Sequence, residues 1–177
     1  MICHKHKCIL IHIPKTAGVS ICNSLGITKG IQRHWNAKTT RRRIGFDKWN
    51  SYFTFTFVRN PWDREISSYF YRNEHYTSDD FKLHLIRKDI HFKIPNYFPW
   101  FSNVKNQPIV NFIGRFENLQ EDFNTVCDKI KIPHQELQHK NKTKHKHYTE
   151  YYDDETREIV AEKYAMDIEY FGYEFGE

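Results

Sequence analysis

Ile9-Leu10-Ile11-His12-Ile13-Pro14-Lys15-Thr16-Ala17-Gly18-Val19-Ser20 decides the fold. Its apolar start, ended by Pro14, reads as a buried central strand over residues 8–13. Ala17 to Leu25 reads as a helix, with Val19, Ile21, Cys22 and Leu25 available for its inner face. A strand, a tight turn holding Gly18 and a helix start together make an anion cradle. The unbonded N–H groups of the first helical turn point at the ligand, and the helix dipole favours negative charge there. Lys15 adds a formal charge, and Thr16 and Ser20 carry hydroxyl donors. The segment departs from the Gly-x-x-x-x-Gly-Lys-Ser/Thr loop of nucleotide triphosphatases: Lys15 precedes the glycine instead of following one. Magnesium-dependent phosphoryl transfer is therefore disfavoured. The competing reading is a surface lysine beside an ordinary helix cap.

The same grammar recurs at Phe55-Thr56-Phe57-Val58-Arg59-Asn60-Pro61-Trp62-Asp63-Arg64. Residues 52–58 are rich in aromatic and β-branched types and predict a second strand. Asn60 suits an N-cap, Pro61 the first helical position and Asp63 the positive helix end, so a helix is expected to about Tyr71. Arg59 ends the strand, and Ser67 lies two turns into the helix. An arginine fork grips a phosphate through two hydrogen bonds, and the serine adds a third donor. The competing reading pairs Arg59 with Asp63 or Glu65 and leaves Ser67 on the surface. Two cation-bearing strand ends on one sheet suggest a ligand with anionic groups at both ends.

Outward from these segments, Ile109–Ile113 predicts a third strand and Glu117–Ile130 an amphipathic helix. Asp154–Ala165 predicts a final helix, with a Tyr/Phe-rich tail read as core. Residues 29–43 are basic and polar, and residues 73–108 read as an irregular insertion with one helix near Asp80–Arg87. Strands alternating with helices give an α/β fold: a three-layer α/β/α P-loop-like domain with a short parallel sheet, one domain over residues 1–177. Phe (14) and Tyr (11) supply enough apolar volume to exclude a disordered chain. The net charge of +5 fits an anionic ligand or acceptor without choosing its class. Cys3, Cys8, Cys22 and Cys127 form no Cys-x-x-Cys pair and read as reduced thiols. Cys3, His4, His6 and Cys8 read as an adventitious cluster, because a closed zinc site draws on two separated half-sites. No apolar run reaches the ~20 residues of a membrane span, and no signal peptide is visible. A cytoplasmic location is the expectation.

Pro14-Lys15-Thr16-Ala17-Gly18-Val19-Ser20 with Val58-Arg59-Asn60-Pro61-Trp62-Asp63-Arg64 and Ser67-Ser68-Tyr69 resembles the carbohydrate sulfotransferases, above all their small bacterial-type and 2-O-sulfotransferase-like members. The resemblance continues through Ile113-Gly114-Arg115-Phe116-Glu117-Asn118-Leu119, Asn141-Lys142-Thr143-Lys144 and Phe171-Gly172-Tyr173-Glu174-Phe175. It is weakest over residues 73–108. It implies a cosubstrate, 3′-phosphoadenosine 5′-phosphosulfate (PAPS), a product, PAP, and no metal. Lys15, Thr16, Ala17, Gly18, Val19 and Ser20 would hold the 5′-phosphosulfate, and Arg59 and Ser67 the 3′-phosphate. Asn141, Lys142 and Lys144 would lie in a loop over the nucleotide. Val19 departs from the family's Thr or Ser and predicts one lost contact.

Sulfuryl transfer needs in-line positioning, stabilisation of the leaving oxygen and a base for the acceptor hydroxyl. Lys15 is placed for the second task. Histidine suits the third, and the resemblance implies a base between the two phosphate motifs. His34 is the choice, with His12, read as a packed strand residue, second. The acceptor is expected to be a carbohydrate hydroxyl, with no nucleic-acid partner and no membrane span. Arg41-Arg42-Arg43 faces either an anionic glycan or water. Two alternatives stand beside this reading: a nucleotide-binding phosphotransferase, and a non-catalytic nucleic-acid-binding protein using the Arg41–Arg43 and Lys140–Lys146 patches.

Overall fold

The computed structural model describes residues 1–27, 34–71, 73, 75–86, 96–138 and 145–177. In chain order the elements are β1 (Ile2–Cys3), β2 (Cys8–Ile11), α1 (Gly18–Ser24), α2 (Ala37–Ile44), α3 (Phe46–Ser51), β3 (Phe53–Val58), α4 (Pro61–Phe70), α5 (Ser78–Ile86), α6 (Phe98–Phe101), β4 (Phe112–Arg115), α7 (Leu119–Ile130), α8 (Asp154–Lys163) and α9 (Ala165–Phe171). They divide into two compact units, Met1–Val58 with Tyr97–Lys140, and Arg59–Asn96 with Asn141–Glu177.

The first unit is built on one sheet of order β1-β2-β3-β4. β2, β3 and β4 run parallel, with Leu10 opposite Phe55 and Phe57 opposite Gly114. β1 pairs antiparallel with β2, so the sheet is mixed where the sequence predicts only parallel strands. Cys8, Leu10, Phe55 and Phe57 share one face and bury themselves with Ile21, Cys22 and Leu25 of the α1 segment and Phe123, Val126 and Cys127 of α7. Ile9, Ile11, Thr54 and Thr56 point to the other face and are equally buried, the signature of a sheet covered on both sides. The two threonines are tolerated there because each hydroxyl is satisfied: Thr56 Oγ1 donates to Ile11 O at 2.8 Å and Thr54 Oγ1 to Asn111 Oδ1 at 2.8 Å. All four cysteines are buried free thiols, and burial pushes the Cys8 thiol up to about 12, which makes it unreactive.

The third strand is displaced from the expected Ile109–Ile113 to Phe112–Arg115. Asn111 explains the shift, since its side chain accepts from Thr54 N at 2.8 Å and takes over the start of the pairing. At Gly114 an added Cβ would meet the Phe57 ring at 2.5 Å, so the glycine makes room for a core aromatic. The expected helix from Glu117 begins as a 3-10 turn over Phe116–Asn118 and becomes α-helical at Leu119. Where the sequence shows only a basic polar stretch, α2 and α3 form. Asn36 caps the first by accepting from Thr39 N at 2.8 Å, and Trp49 anchors the second in the core.

The second unit centres on α4, which is buried on almost every side. Asn60 caps it as expected, accepting from Trp62 N at 3.1 Å. α4 packs against α5, α8 and the 3-10 turn Tyr148–Tyr151. Asp153 and Thr156 close a reciprocal capping box on α8, which ends at Lys163 rather than Ala165.

A helix so enclosed must satisfy its polar groups internally. The Glu65 carboxylate accepts from His84 Nε2 at 3.2 Å, Arg64 at 3.2 Å and the Tyr164 hydroxyl, with Lys163 Nζ at 3.5 Å. Burial alone would raise its pKa, but the His84 hydrogen bond and the Lys163 and Arg64 charges outweigh it and hold Glu65 well below the usual carboxylate range. A depressed folded-state pKa means stability that is fully present above the unfolded value, about 4.3, and is lost progressively as pH falls from there through the lower folded-state pKa. Glu65→Gln strands the cations and is expected to cost about 3 kcal/mol at pH 7. It should also flatten the loss of stability that wild type shows below about pH 5. Urea unfolding of both proteins at pH 7 and pH 4 checks this; parallel pH dependence in the two would refute it.

Candidate functional site

The turn after β2, the expected anion cradle, is set by backbone angles that sequence does not advertise. Lys15 (φ 69°) and Ala17 (φ 60°) both take the left-handed region, which non-glycine residues occupy at a cost. Ala17 is the N-cap of α1, and its carbonyl accepts from Ile21 N at 3.1 Å. The Thr16 hydroxyl donates to Ile13 O at 2.8 Å and is buried. Its proton serves the turn, so backbone N–H is what Thr16 offers an anion. Ser20 is buried in the first turn of α1, whereas Val19 is half-exposed. The inner face of that helix is therefore Ile21, Cys22 and Leu25 without Val19.

Gly18 has a specific steric reason. A Cβ at this position would stand 2.0 Å from His12 Cδ2 and 2.1 Å from His12 Nε2. The buried imidazole of His12 occupies the space a side chain on the helix's first residue would need. Read from sequence as a packed strand histidine, His12 is buried as expected and packs against Gly18.

His34 sits on the same strand end. Its Nδ1 lies 3.2 Å from the His12 carbonyl oxygen, and the two imidazole centroids are 4.7 Å apart. A carbonyl only accepts, so Nδ1 carries the hydrogen and the neutral ring keeps its lone pair on Nε2. The residue as a whole is exposed. Loss of hydration around the ring lowers the His34 pKa, the His12 carbonyl opposing the shift. At neutral pH the imidazole is uncharged, the form a general base needs.

In the second unit, Arg59 and Ser67 are both buried, at 8% and 5% exposure. Ser67 is thus not a surface residue. The alternative partner for Arg59 is real: its Nε donates to Asp63 Oδ2 at 2.7 Å. One of five guanidinium donors is used in this contact, and it fixes the direction of the fork. Asn60, beside it, donates through its amide to Glu174 O at 2.9 Å. Asn141, Lys142 and Lys144 lie outside the described residues.

Two features near these residues escape a reading of the sequence. The Arg43 guanidinium lies 4.2 Å from the centroid of the Trp35 ring, and that of Arg41 lies 4.9 Å from Phe46. Each pair joins an arginine of α2 to a ring outside that helix, so no spacing within the Arg-Arg-Arg run reveals them. The Glu65 cluster draws on residues 64, 65, 84, 163 and 164, too scattered to form a motif. Cys3 and Cys8 face each other across β1 and β2, while His4 hydrogen-bonds Tyr52 at 2.9 Å. No group of three or more potential metal ligands gathers among the described residues. No described helix is long and apolar enough to cross a membrane.

Comparison with known proteins bears on these observations. An uncharacterized protein of Archaeoglobus fulgidus is 36% identical over 99 residues, covering 52% of this chain and 79% of that protein. No solved structure matches the chain. A family model described as the sulfotransferase family matches residues 1–174. With the match extending over nearly every residue, the chain belongs to the sulfotransferase family.

Proposed function

We propose that residues 1–177 act as one sulfotransferase domain that moves the sulfuryl group of PAPS to a carbohydrate hydroxyl. The observation that carries this reading is the run of contacts Gly18–His12–His34, which brings the expected anion cradle and a neutral imidazole to one strand end.

The residues suit such a cosubstrate chemically. The Lys15–Ser20 turn supplies backbone N–H groups, a cation and the Ser20 hydroxyl for a 5′-phosphosulfate. Arg59 and Ser67 supply a charged fork and a hydroxyl for a 3′-phosphate. PAPS contributes an activated sulfuryl group on a phosphate leaving group. His34 Nε2 takes the acceptor proton as the acceptor oxygen bonds to sulfur. Lys15 stabilises the negative charge on the bridging oxygen as its bond to sulfur breaks and PAP departs. Asn141, Lys142 and Lys144 are further proposed contacts to the cosubstrate. No step calls for a metal.

Calorimetric titration with PAP, beside 5′-AMP, ADP and ATP, tests the reading. Wild type is expected to select PAP, and Arg59→Ala to weaken PAP by about 10- to 100-fold through loss of a charged, bidentate contact. Equal binding of ADP and ATP would turn the assignment toward a phosphotransferase. Steeply salt-dependent DNA or RNA binding with no response to PAP would turn it toward a nucleic-acid-binding protein.

A further inference from the structure

The hairpin of β1 and β2 sets two cysteines directly opposite each other. Ile2 faces Ile9 and Cys3 faces Cys8 in the antiparallel register, and Leu10 N donates to Met1 O at 2.9 Å. Residues opposed in this way have α-carbons about 4.5–5.5 Å apart. That lies inside the range of about 4.4–6.8 Å that a disulfide spans, so the bond can form with little movement of the backbone. The two side chains point to the same face, into one core cluster, and the Cys8 thiol is hydrogen-bonded to that of Cys3. Cys22 belongs to the same cluster but stands on α1, across the interface between helix and sheet. It acts on Cys3 and Cys8 only through space.

The two thiols are not equivalent. Cys8 lies on an inner strand and is 0% exposed, and burial pushes its thiol up to about 12. Cys3 lies on a two-residue strand at the edge of the sheet, next to the exposed His4 and Lys5. Short edge elements open locally at a small fraction of the cost of global unfolding, and such opening bares Cys3 first. Burial silences Cys8 toward reagents from outside. It does not silence Cys8 toward a sulfur held against it, where the effective concentration is high.

We propose that Cys3 and Cys8 are a reversible thiol–disulfide site that staples the edge strand β1 to β2. The oxidant is a small disulfide such as glutathione disulfide. The Cys3 sulfur attacks it and forms a mixed disulfide, releasing one glutathione. The Cys8 sulfur then attacks the Cys3 sulfur, its proton passes to the departing thiolate, and a second glutathione leaves. Two cysteine thiols lose two electrons and two protons in all, and one glutathione disulfide becomes two glutathiones. Buried cysteines with a packing role alone would show no preference for one partner.

The test incubates the native full chain with glutathione disulfide, quenches with acid, alkylates, and maps the thiols by mass spectrometry. Free thiols are expected to fall from the four of the reduced chain to two, with Cys3 linked to Cys8 and with Cys22 and Cys127 alkylated. Dithiothreitol should restore all four. In Cys8→Ala the reaction should stop at a glutathione adduct on Cys3, and the map of wild type decides the pairing whether or not that variant folds. Amide exchange at Leu10, whose N–H is held by the β1 strand segment, should slow about tenfold in the oxidised form because the staple restricts fraying. Four thiols surviving, a bridge that includes Cys22, glutathione adducts that never resolve, or a bond that forms only in urea would each overturn the proposal. Unchanged exchange at Leu10 in the bridged chain would overturn the staple.

Discussion

Gly18→Ala is expected to unfold the cradle and abolish PAP binding, although it adds one methyl group. That methyl would stand 2.0 Å from His12 Cδ2 and 2.7 Å from Cγ, distances no packed side chain tolerates. His12 cannot simply turn away, because it is 5% exposed and its ring lies 4.7 Å from that of His34. Either the first turn of α1 lifts off the strand or the imidazole is driven into the core. Overpacking of this kind costs about 1–3 kcal/mol. For about 2 kcal/mol in a chain of this size, the melting temperature falls by roughly 4–8 °C. The loss of binding should exceed what that instability explains, because the displaced atoms are the donors themselves. Adding His12→Ala to Gly18→Ala removes the obstacle and should recover stability relative to the sum of the single changes. The coupling expected for residues in contact is about 0.5–3 kcal/mol. Thermal melts and PAP titrations of the four proteins decide the matter: strict additivity, or a Gly18→Ala variant as stable as wild type, would show that the clash is relieved elsewhere.

The elements that carry this argument were unequally visible in the sequence. The strand-turn-helix units at Leu10–Ser20 and Phe57–Ser67 announce themselves because strand propensity, punctuation by Pro14 and Pro61, and the Asn60 cap agree locally. Two further helices did not. Ala37–Ile44 carries three arginines and no apolar stripe of ordinary length, and its clearest signal, the Asn36 cap, is a single side chain. The left-handed Lys15 and Ala17 were hidden for a different reason, since propensity assigns that region to glycine and asparagine. Such angles persist only where surrounding structure over-determines them, here the Thr16–Ile13 bond and the His12–Gly18 contact. The shift of the last strand to Phe112 follows from the pairing of Asn111 with Thr54, fifty-seven residues away. Contacts of that separation leave no periodic trace. His34 was reached from its place between two motifs, but its bond to the His12 carbonyl belongs to the fold alone.

That bond makes His34→Ala the sharpest test of the chemistry. Removal of a general base costs about 10²–10⁴-fold in turnover, and the substitution should leave PAP affinity within about twofold, because no cradle N–H group is lost. The pH profile separates a base from a merely structural histidine. Loss of hydration holds the His34 pKa below its usual value of about 6.5. The ring is protonated, and useless as a base, only below that shifted value. The rate should therefore rise with pH through a limb lying under pH 6.5 and stay level through neutrality. In His34→Ala the limb should disappear along with the rate, and added imidazole should restore part of it. His34→Gln keeps an N–H for the His12 carbonyl but supplies no base, so it should be as slow as the alanine variant while folding like wild type. If His34→Gln retained turnover, or if the acid limb survived in His34→Ala, the proton would have to go elsewhere. His12 would then be the next group to test, and the Nδ1 contact of His34 would be a strut holding the strand end beneath the cradle.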